Sequence, residues 1–159
     1  MGIDIIGGKT EIVAPTSFPS ANELTISSIP QTFSVYLLLV TGLSFDTASR
    51  NLHIIIPGIT SNYSGLVNDA TGNAAINSVL ATSTPPQTAA QTCTGVYVLT
   101  GLQAGLYPSC VFNATDTSPA HRTGQLAYFG DTNAVTSLTL KMSSTGNFDA
   151  GTYALYGVN

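Results

Sequence analysis

The chain has 159 residues, of which 43% are hydrophobic and only 8% charged, with a net charge of −4. That length suits one domain with a core that stands without disulfides or metals. The four cations, Lys9, Arg50, Arg122 and Lys141, are scattered, which argues against nucleic acid and against an anionic membrane surface, since both take clustered charge.

No segment keeps a helical apolar period, and Gly or Pro interrupts most stretches, whereas short β-branched and aromatic runs bounded by turn residues recur. The expected fold is therefore all-β: an antiparallel jelly-roll-like β-sandwich over residues 31–159, preceded by a short extended N-terminal docking arm over residues 1–30. Within that arm, extended pieces at 3–6, 10–13 and 24–26 lie between Gly7-Gly8, Pro15, Pro19 and Pro30. A competing reading makes them the first edge strands of the sandwich.

Residues 32–40 begin with alternation and become continuously apolar from Tyr36, as expected of a central strand covered on both sides. Gly42 and Asp46 mark a turn region, and residues 51–56 form a second strong strand ended by Pro57-Gly58. These two strands are the natural hairpin partners at the centre of one sheet. Residues 58–94 are poor in strand signal, with turns at Gly72-Asn73 and Pro85-Pro86 and a modest apolar piece at 74–80. They read as a long irregular connection. Strands follow at 96–100, 106–112, 124–129, 135–142 and 152–158. Residues 101–105 make a glycine turn between the first two of these, and residues 114–119 a loop.

Catalytic patterns are absent from the linear sequence. His53 lies mid-strand among isoleucines, with Asn51 and Ile55 on its face, and reads as a surface or interface histidine. His121 sits in a loop next to Arg122. No Ser stands in a G-x-S-x-G context, and no His and carboxylates share a metal-ligand spacing. The acids are dispersed: Asp46, Asp69, Asp116, Asp131 and Asp149 read as turn formers whose carboxylates cap local backbone. Phosphate-cradling glycine loops are missing too. No enzyme activity, cofactor or metal is expected. Cys93 and Cys110 flank a strand-turn-strand segment and offer a disulfide. Two buried thiols are the preferred reading, because the first residues, Met-Gly-Ile-Asp, carry no signal-peptide pattern. The most apolar run, residues 36–40, is too short to cross a bilayer as a helix, so neither Sec export nor membrane insertion is expected. Binding, if present, falls to the aromatics in or beside irregular stretches: Tyr63, Tyr107, Tyr128 and Phe129, each with a flat apolar face, suited to sugars or protein contacts.

Ser, Thr, Asn and Gly stand where a cytosolic enzyme carries Lys and Glu. Such a neutral surface suits a protein that packs against copies of itself or against other proteins, and it also suits an extracellular β protein. The C-terminal segment sharpens this choice. A strand ending in Leu-Thr-Leu-Lys-Met-Ser-Ser is followed by Gly146-Asn147-Phe148-Asp149-Ala150-Gly151-Thr152-Tyr153-Ala154-Leu155-Tyr156-Gly157-Val158. It resembles the terminus of tailed-phage fibre, head-fibre and receptor-binding virion proteins, where the pattern S-x-G-N-F-x-x-G-T-x-x-L-Y-G recurs. The strand pair at residues 36–40 and 52–56 is similar to that family's opening strands. The likeness covers about residues 32–57 and 122–159, under half of the chain, and residues 58–94 lack the family's Gly-Gly-x-Ser/Thr and Tyr pattern. The resemblance implies a trimeric β-sandwich located on the virion. Its role there would be particle assembly, through other virion proteins met by the arm, and contact with a host surface glycan or protein. A homotrimer also fits the low charge, which leaves broad surface for a symmetric interface. A capsid decoration protein and a carbohydrate-binding module are the alternatives.

Overall fold

The computed structural model describes residues 8–48, 50–69, 72–82, 91–117 and 121–159. Among them there is no helix, and twelve strands follow in chain order. They are β1 (Lys9–Ser17), β2 (Glu23–Ile26), β3 (Val35–Phe45), β4 (Leu52–Ile55), β5 (Tyr63–Asp69), β6 (Gly72–Ile76), β7 (Ala81–Thr82), β8 (Cys93–Thr100), β9 (Ser109–Asp116), β10 (His121–Tyr128), β11 (Leu138–Met142) and β12 (Phe148–Val158). They form an eight-stranded sheet, ordered β1-β12-β3-β8-β9-β10-β5-β6, and a four-stranded sheet, ordered β2-β11-β4-β7. Every neighbouring pair is antiparallel.

Alternation decides which side chains go inside. In β9, Cys110, Phe112 and Ala114 are buried while Val111, Asn113 and Thr115 are exposed, the two-residue period of a strand with one covered face. The core lies between the sheets. Tyr36, Leu38 and Val40 of β3, Tyr97 and Leu99 of β8 and Leu126 of β10 share it with Ile26, Leu52, Ile54, Leu138, Leu140 and Met142 of the smaller sheet. Each such aliphatic side chain contributes about 1.5–3 kcal/mol of burial. Aromatic pairs close the core at one end (Phe18–Phe148, centroids 4.8 Å apart) and stack within it (Tyr97–Phe112, 5.8 Å).

The expected β3–β4 hairpin is corrected. β3 does not turn at Gly42 but runs on to Phe45, and the two strands lie in different sheets. Gly42 takes φ +61° at a register shift against β8 between Val40 and Leu43. Across from it in β12, Gly151 takes φ +109°, and a Cβ there would stand 2.6 Å from the Leu43 Cα. The glycines therefore make a bulge that bends the strand without ending it. The chain leaves the sheet only after Phe45, where the Asp46 carboxylate accepts the Asn147 N–H at 2.8 Å. Each strand turns an apolar face inward, and crossing between sheets lets Tyr36, Leu38 and Val40 face Leu52 and Ile54 across the core.

Residues 58–94 also differ from expectation, because β5 and β6 form a hairpin there and β7 adds a short edge to the smaller sheet. Gly72-Asn73 opens β6 rather than marking a turn. The strand signal is hidden because only Tyr63 and Val67 of β5 are buried, and β6 is exposed over most of its length. The docking arm is corrected over residues 9–26. β1 pairs with β12 and β2 with β11, with Ile12, Val13 and Leu24 packed against the core, so this stretch supplies edge strands. Residues 3–6 and Pro85-Pro86 lie outside the described residues. β9 extends through Asp116 into the expected loop at 114–119, and His121 opens β10 rather than sitting in a loop.

Candidate functional site

The four aromatics expected on a binding surface divide two and two. Tyr63 and Tyr128 are core residues, a correction to that expectation, with ring centroids 5.4 Å apart. The Tyr63 hydroxyl accepts the Ile56 N–H at 3.0 Å, and burial pushes its pKa up to about 12. The Tyr128 hydroxyl donates to Asp131 Oδ2 at 3.1 Å, and its pKa is raised by burial and then by that carboxylate. Tyr107 and Phe129 instead stand 53% and 56% exposed, with ring centroids 5.9 Å apart.

Three loops hold that exposed pair at one end of the sandwich. Tyr107 lies between β8 and β9, and Phe129 follows β10. The Phe129 N–H donates to the Asn62 carbonyl at 2.8 Å, and the Gly105 N–H to the Thr132 carbonyl at 2.8 Å. Asp131 Oδ1 accepts the Asn133 N–H at 2.9 Å, tightening the loop after Phe129. With Leu106 also exposed beside them, the rings offer two apolar faces and one hydroxyl, able to stack on a sugar or on an apolar side chain.

Cys93 and Cys110 are both buried and unbridged. The β8–β9 register puts Cys110 opposite Leu99, six residues along β8 from Cys93. That is about 20 Å at strand rise, whereas a disulfide needs α-carbons within about 7 Å. Burial pushes the Cys110 thiol well above its ordinary pKa, which disfavours the thiolate. Of the five aspartates read as turn formers, Asp131 caps its own loop and Asp46 caps a distant one. Asp149 lies within β12 and accepts the Ser44 hydroxyl at 3.2 Å, while Asp69 and Asp116 end strands. Among the described residues, no group of three or more His, Cys, Asp or Glu side chains is placed to hold a metal ion, and no helix is long and apolar enough to cross a membrane.

The largest feature is one that no linear motif marks as a site. On the outer side of the eight-stranded sheet, one row of cross-strand partners runs from edge to edge: Glu11, Tyr156, Leu37, Val98, Val111, Gln125, Leu66 and Ala75. A neighbouring row carries Ala154, Leu39, Val96, Asn113, Thr123, Asn68 and Asn73. Leu66 and Val111 are 57% and 52% exposed, and Leu37, Leu39 and Val98 are half-buried. From β12 to β6 neither row holds a charged side chain. Charge appears at β1, where Lys9 Nζ stands 4.5 Å from the Tyr156 ring centroid beside Glu11. The signal lies in residues 36–40, whose unbroken apolar run suggests a strand covered on both sides. The chain covers the Tyr36–Leu38–Val40 side and leaves Leu37 and Leu39 facing outward.

The outer side of the smaller sheet is of another kind. Its rows are Glu23, Lys141, His53 and Thr82, and Thr25, Thr139 and Ile55. The Thr25 and Thr139 hydroxyls bond at 3.2 Å. His53, beside Lys141, has its pKa lowered to about 4 by burial first and then by the charges of Lys141 and Arg122, so it is neutral at pH 7. No protein-family model matches the chain, and no curated protein matches it.

Proposed function

We propose that this chain is a structural virion protein of a tailed phage, a fibre, spike or vertex component, that works as a homotrimer in particle assembly and in host receptor contact. The observation that carries the reading is the outer side of the eight-stranded sheet. Its strands β3 and β8 are apolar on both sides, and the chain itself covers one of them. A contiguous apolar face without charge is characteristic of a surface that another protein covers. Further copies of the chain are the simplest cover, and closed symmetry limits how many assemble.

Two further features support the same reading. In chain order β1 to β4, β6 to β8 and β10 to β12 alternate between the two sheets, while β5–β6 and β8–β9–β10 follow one another within the larger one; the alternating runs are of the kind a jelly roll produces. At the strand ends, away from the sheet rows, Tyr107 and Phe129 supply an apolar contact for a host glycan or protein. That same ring pair favours a second reading, a carbohydrate-binding module acting as a monomer. The capsid-decoration reading draws on a free arm, and residues 9–26 give it no support because they are paired in the sheets.

Light scattering coupled to size exclusion is the test. The expected native mass is three times the 16.4 kDa of one chain or a whole multiple of that, and Val111→Lys is expected to lower it by breaking the three-fold contact. Immunogold labelling of phage particles from the source culture with an antibody to the chain is expected to be positive. A monomeric wild type that binds soluble glycans through Tyr107 would overturn the assembly reading in favour of the module.

A further inference from the structure

The two edges of the eight-stranded sheet are built differently. β1 closes one edge with Lys9, Glu11 and Pro15, and with register shifts against β12 between Glu11 and Val13 and between Val13 and Thr16. Charges, proline and bulges are the devices that stop a further strand from adding to an open edge. β6 closes the other edge with Gly72-Asn73-Ala74-Ala75-Ile76, paired to β5 in unbroken register. It carries no charge, no proline and no bulge, and its first four residues are exposed. The smaller sheet keeps its edges short, with four residues in β2, one of them Glu23, and two in β7. Among the described residues, β6 is the undefended edge, with β5 its sole neighbour.

We propose that β6 is a strand-pairing site and that its occupant is β6 of a second copy, added antiparallel about a two-fold axis at Ala74. The strand fits itself in that register. Gly72 faces Ile76, Asn73 faces Ala75, and Ala74 faces its own counterpart across the axis. The bulkiest side chain meets the smallest at both ends, and no like charges oppose one another because the strand has none. Pairing β6 with β1 would instead bring Lys9, Glu11 and Pro15 into the ladder and lose rungs at the bulges. Self-pairing also keeps one outer side across both copies, because Ala75 and Asn73, which end the two outer rows, face each other across the new seam. The alternate N–H and C=O groups that β6 turns away from β5 then find partners.

This inference goes beyond the three-fold assembly proposed above and is separable from it. Ala74→Cys in the full chain, treated with oxidised glutathione, tests the register, because the native thiols are buried. A reducible dimer is expected from Ala74→Cys and none from Asn73→Cys, whose side chain faces Ala75. A second measurement needs no cross-link. Ala74→Lys and Ala74→Glu each put like charges across the axis and are expected to halve the wild-type native mass, and mixing the two variants to restore it. Equal cross-linking at both positions, or Lys and Glu variants of wild-type mass, overturns the pairing. A three-chain wild type with no Ala74→Cys dimer overturns the pairing and leaves the trimer standing. A two-chain wild type that Ala74→Lys reduces to one chain keeps the pairing and overturns the trimer.

Discussion

The outer faces of the two sheets show how differently one chain can finish two surfaces of the same architecture. On the smaller sheet, Lys141 stands between Glu23 and His53, and Thr25 meets Thr139. Opposed charges and paired hydroxyls across strands contribute about 0.2–1 kcal/mol each and need no outside partner. On the larger sheet the equivalent positions hold Leu37, Leu39, Val96, Val98, Val111 and Leu66, which gain nothing from water. Inward-facing positions are apolar in both sheets, so the core does not distinguish them. The outward residues do: the larger sheet keeps large apolar side chains on its open side, and the smaller sheet keeps charges and hydroxyls there.

The contrast disappears if the larger sheet cannot form, and Gly151 is where it is most easily broken. Its φ is +109°, and the Leu43 backbone lies 2.6–2.7 Å from where a Cβ would stand, which leaves a β-branched residue no room. Gly151→Val combines left-handed strain with a clash against main chain, each costing on the order of 1–3 kcal/mol. A loss of about 3 kcal/mol or more is expected, read as a lower urea midpoint by circular dichroism. A variant of wild-type midpoint would mean that the β3–β12 bulge is not needed for the sheet.

Acid attacks the other face. His53 titrates near 6.5 when unfolded and near 4 when folded, so between those values the unfolded chain binds more protons. The stability that His53 permits is complete above pH 6.5 and is lost as pH falls toward 4, by on the order of 2–3 kcal/mol. His53→Gln is expected to flatten that part of the stability–pH profile and to leave pH 7 stability nearly unchanged. An unaltered acid slope would show that His53 is not the group responsible.

The faces should also answer differently to the same substitution. Val111→Lys puts a charge in the middle of the apolar row and is expected to weaken association at least tenfold, about 1.4 kcal/mol. Thr25→Lys, exposed on the smaller sheet, is expected to leave the native mass alone. Val111→Lys should keep monomer stability within about 0.5 kcal/mol, as exposed substitutions generally do, and Thr25→Lys within about 1 kcal/mol, because it gives up the hydroxyl pair with Thr139. Equal effects on native mass would remove the distinction between the faces.

Much of the fold was legible because β-branched and aromatic runs between turn residues have few other uses. The strands from β8 onward emerged near their observed positions for that reason. The β3–β4 relation was not legible, because two apolar strands in succession read alike whether they pair in one sheet or face each other across the core. Gly42 compounded the error, since a glycine that bends a strand looks in sequence like one that ends it. β5 and β6 were missed because a strand projecting past its covering sheet keeps few apolar residues. For the site, composition pointed to aromatics beside irregular stretches but could not separate Tyr107 and Phe129 from Tyr63 and Tyr128, whose hydroxyls are satisfied inside. The apolar outer face was visible all along in residues 36–40 as a run with no polar alternate.

Strand β8 carries the smallest and most local form of the contrast, because it holds its polar atom inside and its apolar ones outside. Val96 and Val98 face outward, while Tyr97 between them is fully buried and stacks on Phe112. Its hydroxyl has no hydrogen-bond partner among the described residues, and burial drives its pKa well above the ordinary tyrosine value. An unsatisfied buried hydroxyl costs about 1–3 kcal/mol, and removing it returns part of that cost less the small void left behind. Tyr97→Phe is therefore expected to stabilise the chain by about 1 kcal/mol, measured as a raised urea midpoint with an unchanged slope. Tyr128→Phe, which strips a hydroxyl already donated to Asp131, is expected to move the midpoint the other way. If both variants lose stability, the Tyr97 hydroxyl has a partner such as a buried water. β8 would then be polar-satisfied on its inner side, with its outer valines alone left to be covered.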